Sequence, residues 1–169
     1  MRDRCVVVTG AASGIGAAIC RSFAVSGVAI LLHTRRNRDA VEAVAAEVRA
    51  AGASADVALG DLAEPGVAAA LVAQAVARFG GIDVLVSNAG FADRTPIAAL
   101  TDAAVTASME AIYGAFFRLV RAAMPHLIAG RDARVVAVSS FAAHVFRPDV
   151  ARFPASAAAK AALEASVRA

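Results

Sequence analysis

Residues 6–16, VVVTGAASGIG, place Gly10, Gly14 and Gly16 directly after an apolar run and directly before an alanine-rich stretch. Glycine at these points lets a chain turn tightly, approach a phosphate closely and pack a following helix against the preceding strand. The start of that helix offers free N–H groups and the positive end of a dipole. Such a turn is suited to holding a nucleotide pyrophosphate. The next apolar run ends in His33-Thr34-Arg35-Arg36. An acidic residue there would bind the adenosine ribose hydroxyls of NAD. Here no carboxylate repels a 2′-phosphate, and two guanidiniums are available to pair with one. NADP(H) is the expected cofactor, with NAD as the alternative. A solvated cluster at a helix start in an arginine-rich chain is the competing explanation for the arginines.

A second group of chemistry-bearing residues lies near the end of the chain. VSS (138–140) closes an apolar run at Ser140, and FPASAAAK (153–160) holds Ser156 four residues before Lys160. Lys160 is the sole lysine beside sixteen arginines. Arginine stays protonated and cannot modulate a proton in the same way. His144 and Arg147 follow Ser140 in a loop, and a histidine there is the best available acid–base group near neutral pH. Tyr113 is the only tyrosine, two residues from Ala111 on a predicted helix, and so points to a different face. No set of metal ligands is expected.

These residues must be positioned by alternating strands and helices. Strands are predicted at 4–9, 28–34, within 53–61, at 82–90 and at 133–140. Helices are predicted over 14–27, over 38–52, between 64 and 81, over most of 102–129 in a shorter and a longer piece, and from 155 to the end. Gly27, Gly52 and Gly80-Gly81 serve as stops, and Pro65 stands near a helix start. Apolar strands without clean alternation, each followed by a helix, indicate a parallel sheet covered on both faces. The expected fold is α/β, doubly wound, in a single domain spanning 1–169. No linker or repeat interrupts it. The last helix has an apolar face and no stop signal, so this is expected to be either the first two-thirds of a longer protein or a truncated relative of one.

The spacing Thr-Gly-x-x-x-Gly-x-Gly resembles the short-chain dehydrogenase/reductase family, of the 3-oxoacyl-(acyl-carrier-protein) reductase type. Further matches follow in order: Asp61-Leu62 after the third strand, SNAG (87–90) after the fourth, VSS (138–140) ending the fifth, and Lys160 followed by Ala-Ala-Leu. The resemblance implies a Rossmann-type dinucleotide site formed by Gly10, Ser13, Gly14, Ile15, Gly16, Thr34, Arg35, Arg36, Asp61, Leu62, Asn88, Ala89, Gly90 and Lys160. It implies five of the family's seven strands, the remainder of the fold and a substrate loop being absent from these residues. It also implies carbonyl/alcohol chemistry by hydride transfer. Ser140 would polarise the carbonyl, and Lys160 would lower the pKa of a tyrosine acting as proton donor. Two positions depart from the family: the tyrosine falls on Ser156 and the supporting asparagine on Ala111. A serine hydroxyl is shorter and far less acidic than a phenol. The expected function is therefore an NADP(H)-dependent oxidoreductase with altered acid–base residues. The alternatives are a catalytically degenerate nucleotide-binding homologue or an inactive fragment.

Bulk properties narrow the partners. The chain has 169 residues, 59% of them hydrophobic, and a net charge of +3, which suits one buried core. Basic residues are scattered apart from Arg35, Arg36 and Arg38, so nucleic acid is not an expected partner. The glycines, Thr9 and Ser13 within residues 5–20 suit neither a secretory core nor a membrane span. With only Cys5 and Cys20, the chain is expected in the reducing cytoplasm, both thiols acting as small core residues. The family resemblance implies a homodimer or homotetramer, its long helix before the fifth strand packing against a second subunit, and 111–128 carries bulky apolar residues on more than one face as that requires. The expected substrate is a small carbonyl or alcohol.

Overall fold

The computed structural model describes residues 4–130, 132–145, 149 and 151–169; Arg147 lies outside them. Five strands form one parallel sheet: β1 (Arg4–Thr9), β2 (Val28–Thr34), β3 (Ser54–Leu59), β4 (Val84–Ser87) and β5 (Arg134–Ala137), in the order β3-β2-β1-β4-β5. The helices are α1 (Gly14–Ser22), α2 (Arg38–Ala50), α3 (Val67–Phe79), α4 (Asp102–Met109), α5 (Ala115–Ala129) and α6 (Pro154–Arg168). The order reverses between β1 and β4, which makes that point the crevice of the doubly wound fold.

Unbroken apolar strands are what a sheet covered on both sides requires. Val6, Val8, Ile30, Leu32, Val84 and Val86 pack with Ala17, Cys20, Val41, Val44 and Val48 of α1 and α2. Val7, Leu31 and Leu85 face the other way, onto Leu71, Val72 and Ala75 of α3 and Leu119, Ala123 and Leu127 of α5. Each Val, Leu or Ile among them contributes about 1.5–3 kcal/mol when fully buried. A third cluster joins Ile112 and Phe116 to Ala159 and Leu163, and so anchors α6 to the chain before α5.

β4 and β5 are shorter than the expected 82–90 and 133–140, ending at Ser87 and Ala137, and three helical boundaries also differ from the sequence expectation. α1 ends at Ser22 rather than at Gly27, because the Ser22 hydroxyl donates to the Ile19 carbonyl at 2.8 Å and the Ala24 N–H bonds to the Arg21 carbonyl. This local bond competes with the helix ladder. α2 stops at Ala50, two residues before Gly52, whose φ of +98° turns the chain. Residues 102–129 are one continuous helix with a π turn at Glu110–Gly114 between α4 and α5. That helix is long and apolar enough to cross a membrane, yet one stripe of it covers the sheet, as in a core helix. Phe117, Met124 and Ile128 remain exposed on its other side.

Candidate functional site

A cleft of about 740 Å³ opens at the carboxyl ends of the strands. Its floor is the β1–α1 turn. Gly10 takes a φ of +66° there, and a methyl group on Gly16 would lie 2.2 Å from the Gly10 carbonyl oxygen. The start of α1 can tuck under β1 only without a side chain at 16. Ser13, at the helix start, makes no side-chain cap bond, so the first N–H groups of α1 are left for a ligand.

Buried polar bonds lock β1 to β4 beneath this turn. The Thr9 hydroxyl is fully buried and accepts the N–H groups of Asn88 and Ala89, both at 3.0 Å. The Asn88 side-chain amide donates to the carbonyls of Thr9 at 2.9 Å and Gly10 at 3.1 Å. The segment Asn88–Gly90 is thereby held against the glycine turn. These bonds satisfy backbone groups that the reversal of strand order would otherwise leave unpaired.

At the far end, β2 and β3 deliver His33, Thr34, Arg35, Gly60, Asp61 and Leu62 to the cleft. His33 is 2% exposed; its Nε2 donates to the Gly60 carbonyl at 2.9 Å, and Nδ1 is buried with no partner. Burial pushes the imidazole pKa down, so the ring is held neutral. The Arg35 guanidinium lies 3.7 Å from the Asp61 carboxylate, and Asp61 also accepts the Ala63 N–H at 3.0 Å. Arg118 reaches back to the Leu62 carbonyl at 2.9 Å and the Glu110 carbonyl at 3.1 Å, and pairs with the Glu110 carboxylate at 2.7 Å. It ties the π turn to the Asp61-Leu62 segment. Gly114 makes room, since a methyl group there would lie 2.8 Å from that carboxylate.

A smaller cavity, about 130 Å³, adjoins Phe91. Ser140, Phe141, Phe153, Ser156 and Lys160 line it. Lys160 donates to the Val138 carbonyl at 2.6 Å, and burial pushes its pKa down. A methyl group on Gly90 would lie 3.4 Å from its Nζ, so the lysine reaches the border of the large cleft. The Ser140 oxygen accepts the Ala142 N–H at 3.3 Å and the Ser156 oxygen accepts the Asp93 N–H at 3.2 Å. Each hydroxyl keeps its own proton to donate.

Of the residues expected to bind a dinucleotide, Gly10, Ser13, Gly14, Ile15, Thr34, Arg35, Asp61, Leu62, Asn88, Ala89 and Gly90 line the large cleft. Gly16 is buried beneath it, Arg36 is exposed outside it, and Lys160 lines the smaller cavity. Ala111 borders the large cleft with no polar group. Tyr113 packs on the cluster against α6. His144 donates toward Glu164 at 2.7 Å, and Glu164 also holds Ser139 and, at 2.9 Å, Arg168. His33 and Gly60 were not expected at the cleft. Their sequence signal is slight: one polar residue ending an apolar run, and a glycine before Asp61.

A model of the short chain dehydrogenase family matches residues 4–169. The chain belongs to this family. An L-rhamnose 1-dehydrogenase (NAD(P)(+)) from Sphingomonas sp. strain SKA58 is 34% identical over 149 residues, 86% of this chain and 58% of that protein. Dehydrogenase/reductase SDR family member 7B of Bos taurus is 33% identical over 162 residues, 92% of this chain and 50% of the relative. Among solved structures, a 3-oxoacyl (acyl-carrier-protein) reductase from Agrobacterium tumefaciens C58 with NADP bound has a TM-score of 0.87 at 30% identity, covering 98% of this chain and 62% of that one. This short-chain dehydrogenase chain thus spans between half and two thirds of the length of these relatives. The Rossmann-like α/β architecture expected from its strand pattern is the one observed.

Proposed function

We propose that the cleft binds NADP(H) and that the chain belongs to an oxidoreductase acting on a small carbonyl/alcohol pair. The observation that carries the cofactor choice is Arg35: a guanidinium stands at the cleft end of β2, a strand end without a carboxylate of its own. The residues fit a dinucleotide. The Gly10–Gly16 cradle has no space for a side chain at its closest point, and the first turn of α1 offers donors for a pyrophosphate. Thr34 and Arg35 would take the 2′-phosphate, Asp61 and Leu62 the adenine, and Asn88, Ala89, Gly90 and Lys160 the nicotinamide ribose. Arg36 would add charge from outside the cleft. Both cysteines are buried and unbridged, which suits the cytoplasm. The exposed Phe117, Met124 and Ile128 support a homo-oligomer.

When bound, the cofactor supplies a hydride. The chain's own part is to bind the substrate carbonyl and stabilise charge on its oxygen. Ser140 and Ser156 donate hydrogen bonds to that oxygen, and Lys160 stands beside them at the border of the large cleft. No phenol stands in the cavity, and loss of a general acid commonly costs about 10²–10⁴ in rate. Turnover is therefore expected to be slow. A second proposal, a nucleotide-binding homologue without chemistry, is favoured by one observation: Tyr113, the only tyrosine, packs on α6 rather than lining either cavity.

NADPH oxidation with a simple diketone separates the two. Ser156→Tyr is expected to raise the rate over the parent chain, and adding Ala111→Asn to raise it again. If neither chain turns over while NADPH still binds, the oxidoreductase proposal fails and the binding role stands.

A further inference from the structure

The chain's only lysine ends in a small apolar chamber. Lys160 is 9% exposed, and among the described residues no carboxylate pairs with it. Among the described residues its Nζ donates to the Val138 carbonyl, at 2.6 Å. The acid one turn along α6, Glu164, is taken up by Ser139, His144 and Arg168. Three phenylalanines, Phe91, Phe141 and Phe153, supply the walls, and the Arg94 guanidinium sits 5.9 Å from the Phe153 ring centroid and steadies it. The volume, about 130 Å³, is close to the roughly 150 Å³ at which an apolar cavity accepts a benzene molecule. A lysine withdrawn from water in apolar surroundings loses its proton more readily and becomes a nucleophile toward carbonyl carbon. The downward push of burial on Lys160 is in that direction.

We propose that Lys160 captures small aromatic aldehydes in this chamber as an imine. The lone pair of neutral Nζ attacks the carbonyl carbon and the C–N bond forms. The carbonyl oxygen takes up a proton, giving a carbinolamine. It then leaves as water with a second proton, while nitrogen gives up both of its own and the C=N bond closes. One amine and one aldehyde give one imine and one water, with no change in oxidation state. Ser140 and Ser156 line the same chamber and are its hydroxyl donors to the departing oxygen. The reaction needs no bound nucleotide, so it stands or falls apart from the oxidoreductase proposal.

The full chain is incubated with benzaldehyde and sodium cyanoborohydride at pH 7, and the reduced benzyl adduct on Lys160 is quantified by peptide mass spectrometry. The same lysine in the urea-unfolded chain is the reference, since its pKa is then ordinary. Lowering that pKa raises the share of free amine at pH 7, so labelling is expected to be faster in the folded chain than in the unfolded one. Equal or slower labelling of the folded chain means that burial merely shields the amine, and overturns the proposal. Ala157→Leu, which narrows the chamber, is expected to slow benzaldehyde severalfold and leave formaldehyde, which needs no chamber, unaffected. A benzaldehyde rate that does not change in that variant, or a formaldehyde rate that falls with it, counts against selection of an aromatic ring.

Discussion

A methyl group at position 16 would sit 2.2 Å from the Gly10 carbonyl oxygen and 2.8 Å from its carbon. Both are backbone atoms with no rotamer to change, so the Gly10 peptide or the start of α1 must move. Overpacking of this kind costs about 1–3 kcal/mol. The same carbonyl accepts the Asn88 amide, and losing that bond costs about 1 kcal/mol more. Alanine gains at most about 1 kcal/mol of helix propensity over glycine. The net expectation for Gly16→Ala is a loss of roughly 1–3 kcal/mol. At roughly 2–4 °C per kcal/mol for a chain of this size, Tm falls by several degrees. The binding cradle is distorted as well. Thermal unfolding followed by circular dichroism, with and without NADPH, reads both effects. Gly66→Ala is the control: Gly66 is at a φ of +86°, which strains any side chain, but has nothing within 4 Å of the added carbon. That variant should lose some stability and keep the NADPH-induced rise in Tm, whereas Gly16→Ala should lose both. A Gly16→Ala chain that melts with the parent and keeps the rise would refute the cradle.

Two further perturbations read other parts of the cleft. The Arg35–Asp61 pair is 3.7 Å apart and partly exposed, so separating it costs at most about 1 kcal/mol. Asp61→Asn frees Arg35 and removes a negative charge beside the expected phosphate, so the preference for NADPH over NADH should widen by up to about fivefold by calorimetry; a narrowed preference contradicts this placement. His33 is held neutral by burial. The unfolded chain then takes up a proton near the ordinary value of 6.5, before the folded chain does. Stability is full above that pH and lost as pH falls below it. Urea unfolding at pH 7 and pH 5.5 should show that loss, and His33→Asn should show less of it; an equal loss in the variant removes His33 as the cause.

The strand pattern was legible because the central strands β1, β2 and β4 are buried along nearly their whole length and so read as apolar runs. β1 and β2 begin and end where the runs do. The glycine turn was legible for the same physical reason that makes it necessary: nothing but glycine fits at 16. The π turn was not legible. It depends on Arg118 reaching eight residues back to the Glu110 carbonyl and on the space left by Gly114, and neither contact shows in helical periodicity. The end of α1 was misplaced because Gly27 is a stop signal that serves β2, not the helix. His33 looked like a strand residue; its place at the cleft comes from Gly60 in the neighbouring connection, whose carbonyl it holds. Arg35 and Asp61 were both expected at the cofactor, but their pairing across the ends of β2 and β3 is set by sheet register. Lys160 stood out as the sole lysine, while its apolar chamber depends on Phe91, from the other side of the cleft.

Titration calorimetry of the parent chain with NADPH and NADH, repeated on Arg35→Asp, tests the central proposal most directly. A charged contact from Arg35 to a 2′-phosphate contributes about 1.5–3 kcal/mol, or roughly ten- to hundredfold in affinity. NADPH is expected to bind the parent tighter than NADH by that factor, and Arg35→Asp to abolish or reverse the preference. Equal affinities in the parent chain, or a preference for NADPH that survives the substitution, would contradict it.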